Sequence, residues 1–320
     1  MPLLVLALAV PAAHGARDME QILSAVVGVR SQIPDTARTA ETLGTHRTGS
    51  GVVIDGDGLV LTIGYLVLEA EQVFVATRPG DVPEVSARVV AYDHATGFGL
   101  LRAEAPLDVT PMNLGDSDAL SLGAPLVVAS YGGSSGARPG VLVDRREFAG
   151  YWEYLLEGAL FAAPPHPLFG GAALIDPQGD LVGIGSLIVS DARRGGEPLP
   201  GNMFVPVNRL KPILAELLST GRGPGPRQPW IGIYSTEVEG SVIVRRVAVD
   251  GPAGRAGVTR GSIVESVAGQ PVSGIADFYR KLWAAGGPGT RIVLGLREID
   301  GTPREVAVTA DDRYEWLRLR

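Results

Sequence analysis

The sequence contains no cysteine, which removes disulfides, thiol nucleophiles, thiolate-held zinc and iron–sulfur clusters together. Lysine is nearly absent: Lys211 and Lys281 are the only two in 320 residues, so a serine–lysine dyad has almost nowhere to form. Histidine is scarce as well. Past the first residues only His46, His94 and His166 are left for acid–base or metal chemistry. No long basic run occurs, and Lys+Arg 28 against Asp+Glu 35 leaves a net charge of -7, so no nucleic-acid partner is expected. No apolar run is long enough to span a bilayer, so no transmembrane segment is expected.

What is present is an ordinary globular composition, 45% hydrophobic and 20% charged, with the 43 glycines and 24 prolines of a turn-rich chain. Its length fits two domains. At the start, Leu3 to Val10 is unbroken and apolar, and Pro11 and Ala13-His14-Gly15 follow. Residues 1–15 therefore read as the apolar half of a secretory signal, without its basic beginning, and the protein is expected to be exported to the periplasm or envelope. A buried first strand is the alternative reading.

Short β-rich runs at 51–54, 59–62, 85–92, 125–130, 142–148 and 181–189 are broken by Gly, Pro and Asp turns, the pattern of an all-β barrel or sandwich. Asp55-Gly56-Asp57-Gly58 marks a hairpin. Leu210, Ile213, Leu214 and Leu217 predict a helix over 207–219, which Gly221 can end. Residues 221–229 are Gly- and Pro-rich and read as a linker. Beyond it, strands near 231–234, 241–246, 263–267, 291–297 and 304–309 and helices near 252–256 and 275–285 predict a smaller α/β unit over 230–312. Residues 313–320 read as a loose tail.

Five stretches, in order, resemble the HtrA/Deg envelope proteases. They are Thr48-Gly49-Ser50-Gly51 running to Asp55 and then Leu61-Thr62; Leu114-Gly115-Asp116-Ser117-Asp118; Gly170-Gly171 with 176–185; Phe204-Val205-Pro206-Val207-Asn208; and Trp230-Ile231-Gly232-Ile233 with Gly251-Pro252-Ala253 and Ala256-Gly257-Val258. The resemblance implies a mostly β protein: a trypsin-like double six-stranded β-barrel over 16–220, followed by a small α/β PDZ domain. It also implies a Ser nucleophile, a His base, an Asp that orients the His, and backbone donors for the oxyanion.

At the positions to which the resemblance assigns these groups, the chemistry is missing. Tyr65 stands for the His, and a phenol is a poor base at neutral pH. Gly97 stands for the Asp and offers no side chain, while Phe169 stands for the Ser and offers no nucleophile. The oxyanion position is Pro167, which has no N–H to donate. Phe161 stands where the family carries a further Asp. The barrel pair is therefore expected to be a pseudoprotease, although family membership alone would make it an active serine-type endopeptidase of periplasmic quality control. Tyr65, Phe161, Leu168 and Phe169 are expected to fill the cleft, an apolar peptide groove being the alternative. His94 and His166 are expected to be solvent-exposed loop residues; a shared metal or proton-transfer role is the other reading. No cofactor or metal is expected.

The PDZ resemblance implies that peptide or protein C-termini add as a strand, with their carboxylate in a nest of backbone N–H groups. The resemblance places that nest at Trp230, Ile231, Gly232 and Ile233. Ile275, Phe278, Tyr279 and Leu282 fall at i, i+3, i+4 and i+7 and form an apolar stripe, which reads as pocket wall or as core. Active HtrA/Deg relatives are the other candidate partners. Trimers of the family's kind are not expected, because residues 17–44 lack any aromatic side chain.

Overall fold

Twelve strands, several of them buried along their whole length, close into two barrels, which leaves few unpaired sheet edges. The computed structural model describes residues 18–80, 84–317 and 319, so the leader-like segment 1–15 lies outside the described residues. Helix α1 (Met19–Ser24) is capped by Asp18, whose carboxylate accepts from Glu20 N. The first barrel contains β1 (Val26–Gln32), a short helix α2 (Ala40–Leu43), β2 (His46–Val53), β3 (Leu59–Ile63), β4 (Gln72–Ala76), β5 (Val85–Tyr92) and β6 (Phe98–Ala103). Its strand order is β1-β2-β3-β6-β5-β4, and β4 pairs with β1 to close the ring. The Asp55 turn forms as the sequence predicts: its carboxylate accepts from Asp57 N and Leu59 N.

The second barrel contains β7 (Pro125–Ala129), β8 (Ala137–Gly150), β9 (Tyr154–Ala163), β10 (Ala173–Ile175), β11 (Leu181–Val189) and β12 (Gly201–Pro206). Here the order is β10-β11-β12-β9-β8-β7, closed by β10 against β7. Leu126, Leu142, Leu160, Leu174 and Phe204 fill its interior. A larger apolar cluster runs from the first barrel through Ile63 and Leu66 to Ala129, Phe161 and Ile184 of the second, so the two barrels share a core. Strand β8 is the longest in the molecule, and its far end, paired with β9 from Phe148↔Leu156 to Gly150↔Tyr154, packs against the C-terminal unit.

The predicted helix over 207–219 is in fact a 3-10 turn, Val207–Arg209, followed by α3 (Leu214–Thr220). Pro212 lies between them, and a proline ring with no N–H cannot continue a helix. Gly221 ends α3 in the left-handed conformation at φ 77.

The C-terminal unit contains β13 (Pro229–Trp230), β14 (Ile233–Val238), β15 (Ser241–Val247), α4 (Pro252–Arg255), β16 (Ile263–Val267), β17 (Gln270–Pro271), α5 (Ile275–Ala284), β18 (Arg291–Arg297), β19 (Pro303–Thr309), β20 (Asp311–Asp312) and α6 (Arg313–Trp316). Its sheet order, β14-β15-β16-β18-β19, leaves β14 at an edge. Residues 313–317 are not loose, which corrects the reading of a tail. Asp312 caps α6, Trp316 packs on Trp230 at 4.4 Å, and Arg38 of the first barrel lies over the Trp316 ring. The Gly- and Pro-rich segment 221–229 is tied down too, since Arg227 reaches Asp312 and Glu315. No helix of the described residues is long and apolar enough to cross a membrane.

Candidate functional site

The three positions to which the resemblance assigns catalytic roles do converge between the barrels. Gly64 N donates to Gly97 O at 2.7 Å, which places Gly97 beside the 3-10 turn that carries Tyr65. The Tyr65 hydroxyl crosses to the second barrel and donates to Ser186 O at 3.0 Å. The same hydroxyl lies 2.9 Å from where a Cβ on Gly170 would stand, next to Phe169. Burial pushes the Tyr65 phenol well above its ordinary range, so it stays protonated and serves as a strut between barrels.

The Gly-Gly pair is kept for packing. Gly170 O accepts from Ser50 N at 2.8 Å, and Gly171 sits at φ 74 with Ser50 O where a Cβ would go. The preceding loop is held from inside by His166. Its backbone N–H donates to Asn202 Oδ1 at 2.6 Å, and its Nδ1 accepts from Leu168 N at 3.1 Å. Its Nε2 therefore carries the hydrogen, donated to Gly136 O at 3.1 Å. Burial lowers its pKa, which keeps the ring neutral. With Pro167 lacking an N–H and the Leu168 N–H turned to His166, two donors that could face an oxyanion are removed.

Gly97 is left-handed at φ 84, and a Cβ there would lie 3.3 Å from the Tyr154 hydroxyl. That hydroxyl donates to Thr96 O at 2.6 Å, so Tyr154 occupies the flank on which an aspartate would begin.

The four-residue plug is not what the cleft contains. Phe161 is fully buried in the shared core with the Arg146 guanidinium 3.6 Å over its ring, and Leu168 is 64% exposed. Tyr65 and Phe169 are half-buried at the cleft itself. The two histidines are likewise not in solvent. His94 and His166 are both buried and are held by different partners. Among the described residues no group of three His, Asp or Glu side chains is placed to hold a metal. Neither lysine offers a substitute base: Lys211 is bonded to Gly115 O, and Lys281 is paired with Asp277.

The C-terminal unit is different. The N–H groups of Ile231, Gly232 and Ile233 converge on one carboxylate, at 3.2, 2.7 and 2.8 Å. Gly232 is left-handed at φ 79, with Ala248 and Trp230 packed where a Cβ would be, so glycine is required for this turn. The carbonyls of Ile231 and Gly232 are taken by Ala253 N and Ala248 N, which fixes the loop with its donors outward. Trp230 contributes no donor to the carboxylate; it pairs with Asp311 and packs on Trp316. Of the helical stripe, Phe278 and Leu282 are core and Ile275 is partly buried at its margin. Tyr279 is fully buried in the same core, with its hydroxyl 3.2 Å from Ser235 Oγ of β14.

The carboxylate belongs to Glu153, at the turn between β8 and β9, which sequence reasoning missed. It is 2% exposed and adopts φ 55. Burial raises its pKa to about 7, against the pull of Arg313 and of the three amides. Around it, Tyr151 O accepts from Ser235 N at 2.9 Å, the Tyr279 hydroxyl donates to Gly150 O at 2.7 Å, and Arg313 donates to Trp152 O at 2.8 Å. His94 Nε2 lies 3.0 Å from Glu153 O, and burial with the nearby Arg313 charge lowers its pKa well below the usual value.

Residues 49–184 match the family model of the trypsin-like peptidase domain. The periplasmic pH-dependent serine endoprotease DegQ of Escherichia coli is 27% identical over 82% of the chain and 59% of its own length. The serine protease PepD of Mycobacterium tuberculosis is 28% identical over 91% of the chain and 66% of its own length. The chain thus spans about three fifths to two thirds of these curated relatives. Among solved structures, the HtrA-type protease AlgW with decapeptide superposes with a TM-score of 0.52 at 20% identity, covering 92% of this chain and 99% of that one. A serine endoprotease from Yersinia pestis gives 0.51 at 21% identity, covering 95% and 99%. The fold is the mostly β, trypsin-like double barrel of HtrA proteases.

Proposed function

We propose that this HtrA/Deg-like protein does not hydrolyse peptides, and that it is an exported peptide-binding scaffold, chaperone-like factor or regulator working through a PDZ-type C-terminal domain. One observation carries the first half: the site between the barrels holds Tyr65, Gly97 and Phe169, with Pro167 at the donor position, and each lacks the group that its role demands. Peptide bond cleavage needs a nucleophile, a base and an oxyanion site acting as a unit, and losing one member already costs orders of magnitude in rate.

The binding half is supported by the three N–H groups of Ile231, Gly232 and Ile233 beside the edge strand β14. A carboxylate in such a loop, with its chain running along a sheet edge, is how extended C-terminal peptides are held. Export is supported by the periplasmic relatives and by the apolar run at 3–10. Active HtrA/Deg proteases of the same compartment are the natural partners of a regulator of this kind.

The test is incubation of the purified full chain with denatured casein and, separately, with a fluorophosphonate serine probe. No casein fragments and no labelled band are the expected results. Labelling that survives removal of contaminating proteases would establish an active endopeptidase in place of the scaffold.

A further inference from the structure

The carboxylate-binding loop is already in use. Glu153 arrives on the β8–β9 hairpin, 78 residues before Ile231, and its side chain takes all three backbone donors. The hairpin does more than supply a charge. Tyr151 O accepts from Ser235 N on β14, the edge strand, so a stretch of hairpin backbone lies where an added strand would lie. On the opposite wall, the Tyr279 hydroxyl donates to Gly150 O and accepts from Glu153 N at 3.1 Å. Ala149 and Leu155 pack on the core of the C-terminal unit, and Arg280 on α5 is ion-paired with Glu147 at the rim.

Each of these contacts copies one that an incoming chain end needs. Three amides cannot serve two carboxylates in this geometry, and one edge strand cannot pair with two backbones on the same side. The left-handed backbone of Glu153, φ 55, is uncommon for a non-glycine residue, and the docked contacts hold it there.

We infer that the β8–β9 hairpin is a built-in ligand of the C-terminal groove, so that a partner's C-terminus binds only by displacing Glu153 and freeing that face of the second barrel. This rests on the reading of the groove as a binder of chain ends. It makes the apparent affinity for any such peptide lower than the intrinsic one, by the fraction of molecules whose hairpin is undocked. It also couples ligand binding to the contact between the barrels and the C-terminal unit, because the competing carboxylate belongs to the barrels.

The test uses the full chain and a pool of fluorescein-labelled decapeptides with a free C-terminal carboxylate and an apolar last residue. The same pool amidated at its C-terminus is the control. Binding is read by anisotropy for the unchanged protein, Glu153→Ala and Glu153→Gln, and amide hydrogen exchange of residues 231–233 reports whether the loop has been vacated. The Gln variant keeps the side-chain volume and guards against a folding defect. Removing one competing charge-assisted contact set is expected to tighten binding of the carboxylate pool about ten- to a hundredfold in Glu153→Ala, and less in Glu153→Gln, with no gain for the amidated pool. Faster exchange at 231–233 in the free variants should accompany it. Equal, measurable affinity in all three proteins would overturn the internal-ligand inference and leave the groove a binder of chain ends. If the variants expose the loop amides and still bind no carboxylate peptide, the binding reading fails, and the inference fails with it.

Discussion

The cleft between the barrels and the groove of the C-terminal unit have fared in opposite ways. In the cleft, hydrolysis would depend on side chains, and the barrels close around Tyr65, Gly97 and Phe169 at the positions that the resemblance assigns to them. In the C-terminal unit, the converging groups are backbone N–H donors, which a change of side chain cannot delete. Those donors persist, and the molecule satisfies them with its own Glu153. Catalytic side chains can therefore drift without cost to the fold, whereas three converging amides must be paired with something, because a buried donor left empty costs about 1–3 kcal/mol.

The sharpest way to break this comparison is to attack the backbone of the cleft. Gly171→Ala puts a Cβ onto Ser50 O at a positive φ, and it is expected to cost about 3 kcal/mol or more in urea denaturation. A neutral result would mean that the cleft is loose and that the Gly-Gly pair is a relic.

His166→Leu comes next. It leaves Leu168 N without its acceptor, while Gly136 O keeps the Ser130 N–H, and should lower stability by about 1–2 kcal/mol, also read by denaturation. Peptide binding at the distant groove should not change.

A third change tests whether the cleft could regain chemistry. Combining Tyr65→His, Gly97→Asp, Phe169→Ser and Pro167→Gly restores the family's residue types. The left-handed backbone of Gly97 and the neighbouring Tyr154 hydroxyl oppose the aspartate, at a cost of about 1–2 kcal/mol. The combined variant is expected to leave casein intact; cleavage would show that the cleft has kept room for a triad.

The smallest effect is one of pH. Docked, the Glu153 carboxyl is raised by burial to about 7; free of the groove, a glutamate titrates near 4.3. The docked state thus binds a proton more readily. Docking is fully favoured below the free value and weakens as pH rises through about 7. The Arg313 charge acts on the carboxyl, His94 and Tyr279 contact the Glu153 backbone, Arg280 and Glu147 pair at the rim, and Asp93, Arg222, Arg227 and Asp312 line the adjoining cavity of about 120 Å³. Following the Gly232 amide resonance from pH 5.5 to 8.5 should reveal a transition near 7, absent from Glu153→Gln.

The double barrel was legible because its signals are local. Asp55-Gly56-Asp57-Gly58 makes its hairpin, Gly170-Gly171 makes its tight crossing, and a proline at 167 has no N–H in any fold. The break at Pro212 was equally available in the sequence and was outweighed there by the leucine spacing. What could not be read depends on distance. Nothing near Tyr151-Trp152-Glu153-Tyr154 distinguishes a solvent-facing charged turn from one that reaches Ile231 and Gly232. Trp316 likewise looked like the end of a tail until Trp230 and Arg38 were placed beside it. Phe161 and the buried pair His94 and His166 were misjudged for the same reason: burial is a property of the assembled barrels.

The most direct test of gripping without cutting is recovery of the free-carboxylate decapeptide pool after prolonged incubation with the full-length Glu153→Ala protein, followed by mass spectrometry. The account predicts bound peptides of full length, enriched in particular C-terminal residues and released by competing carboxylate peptides. Shortened peptides whose formation a fluorophosphonate blocks would contradict it.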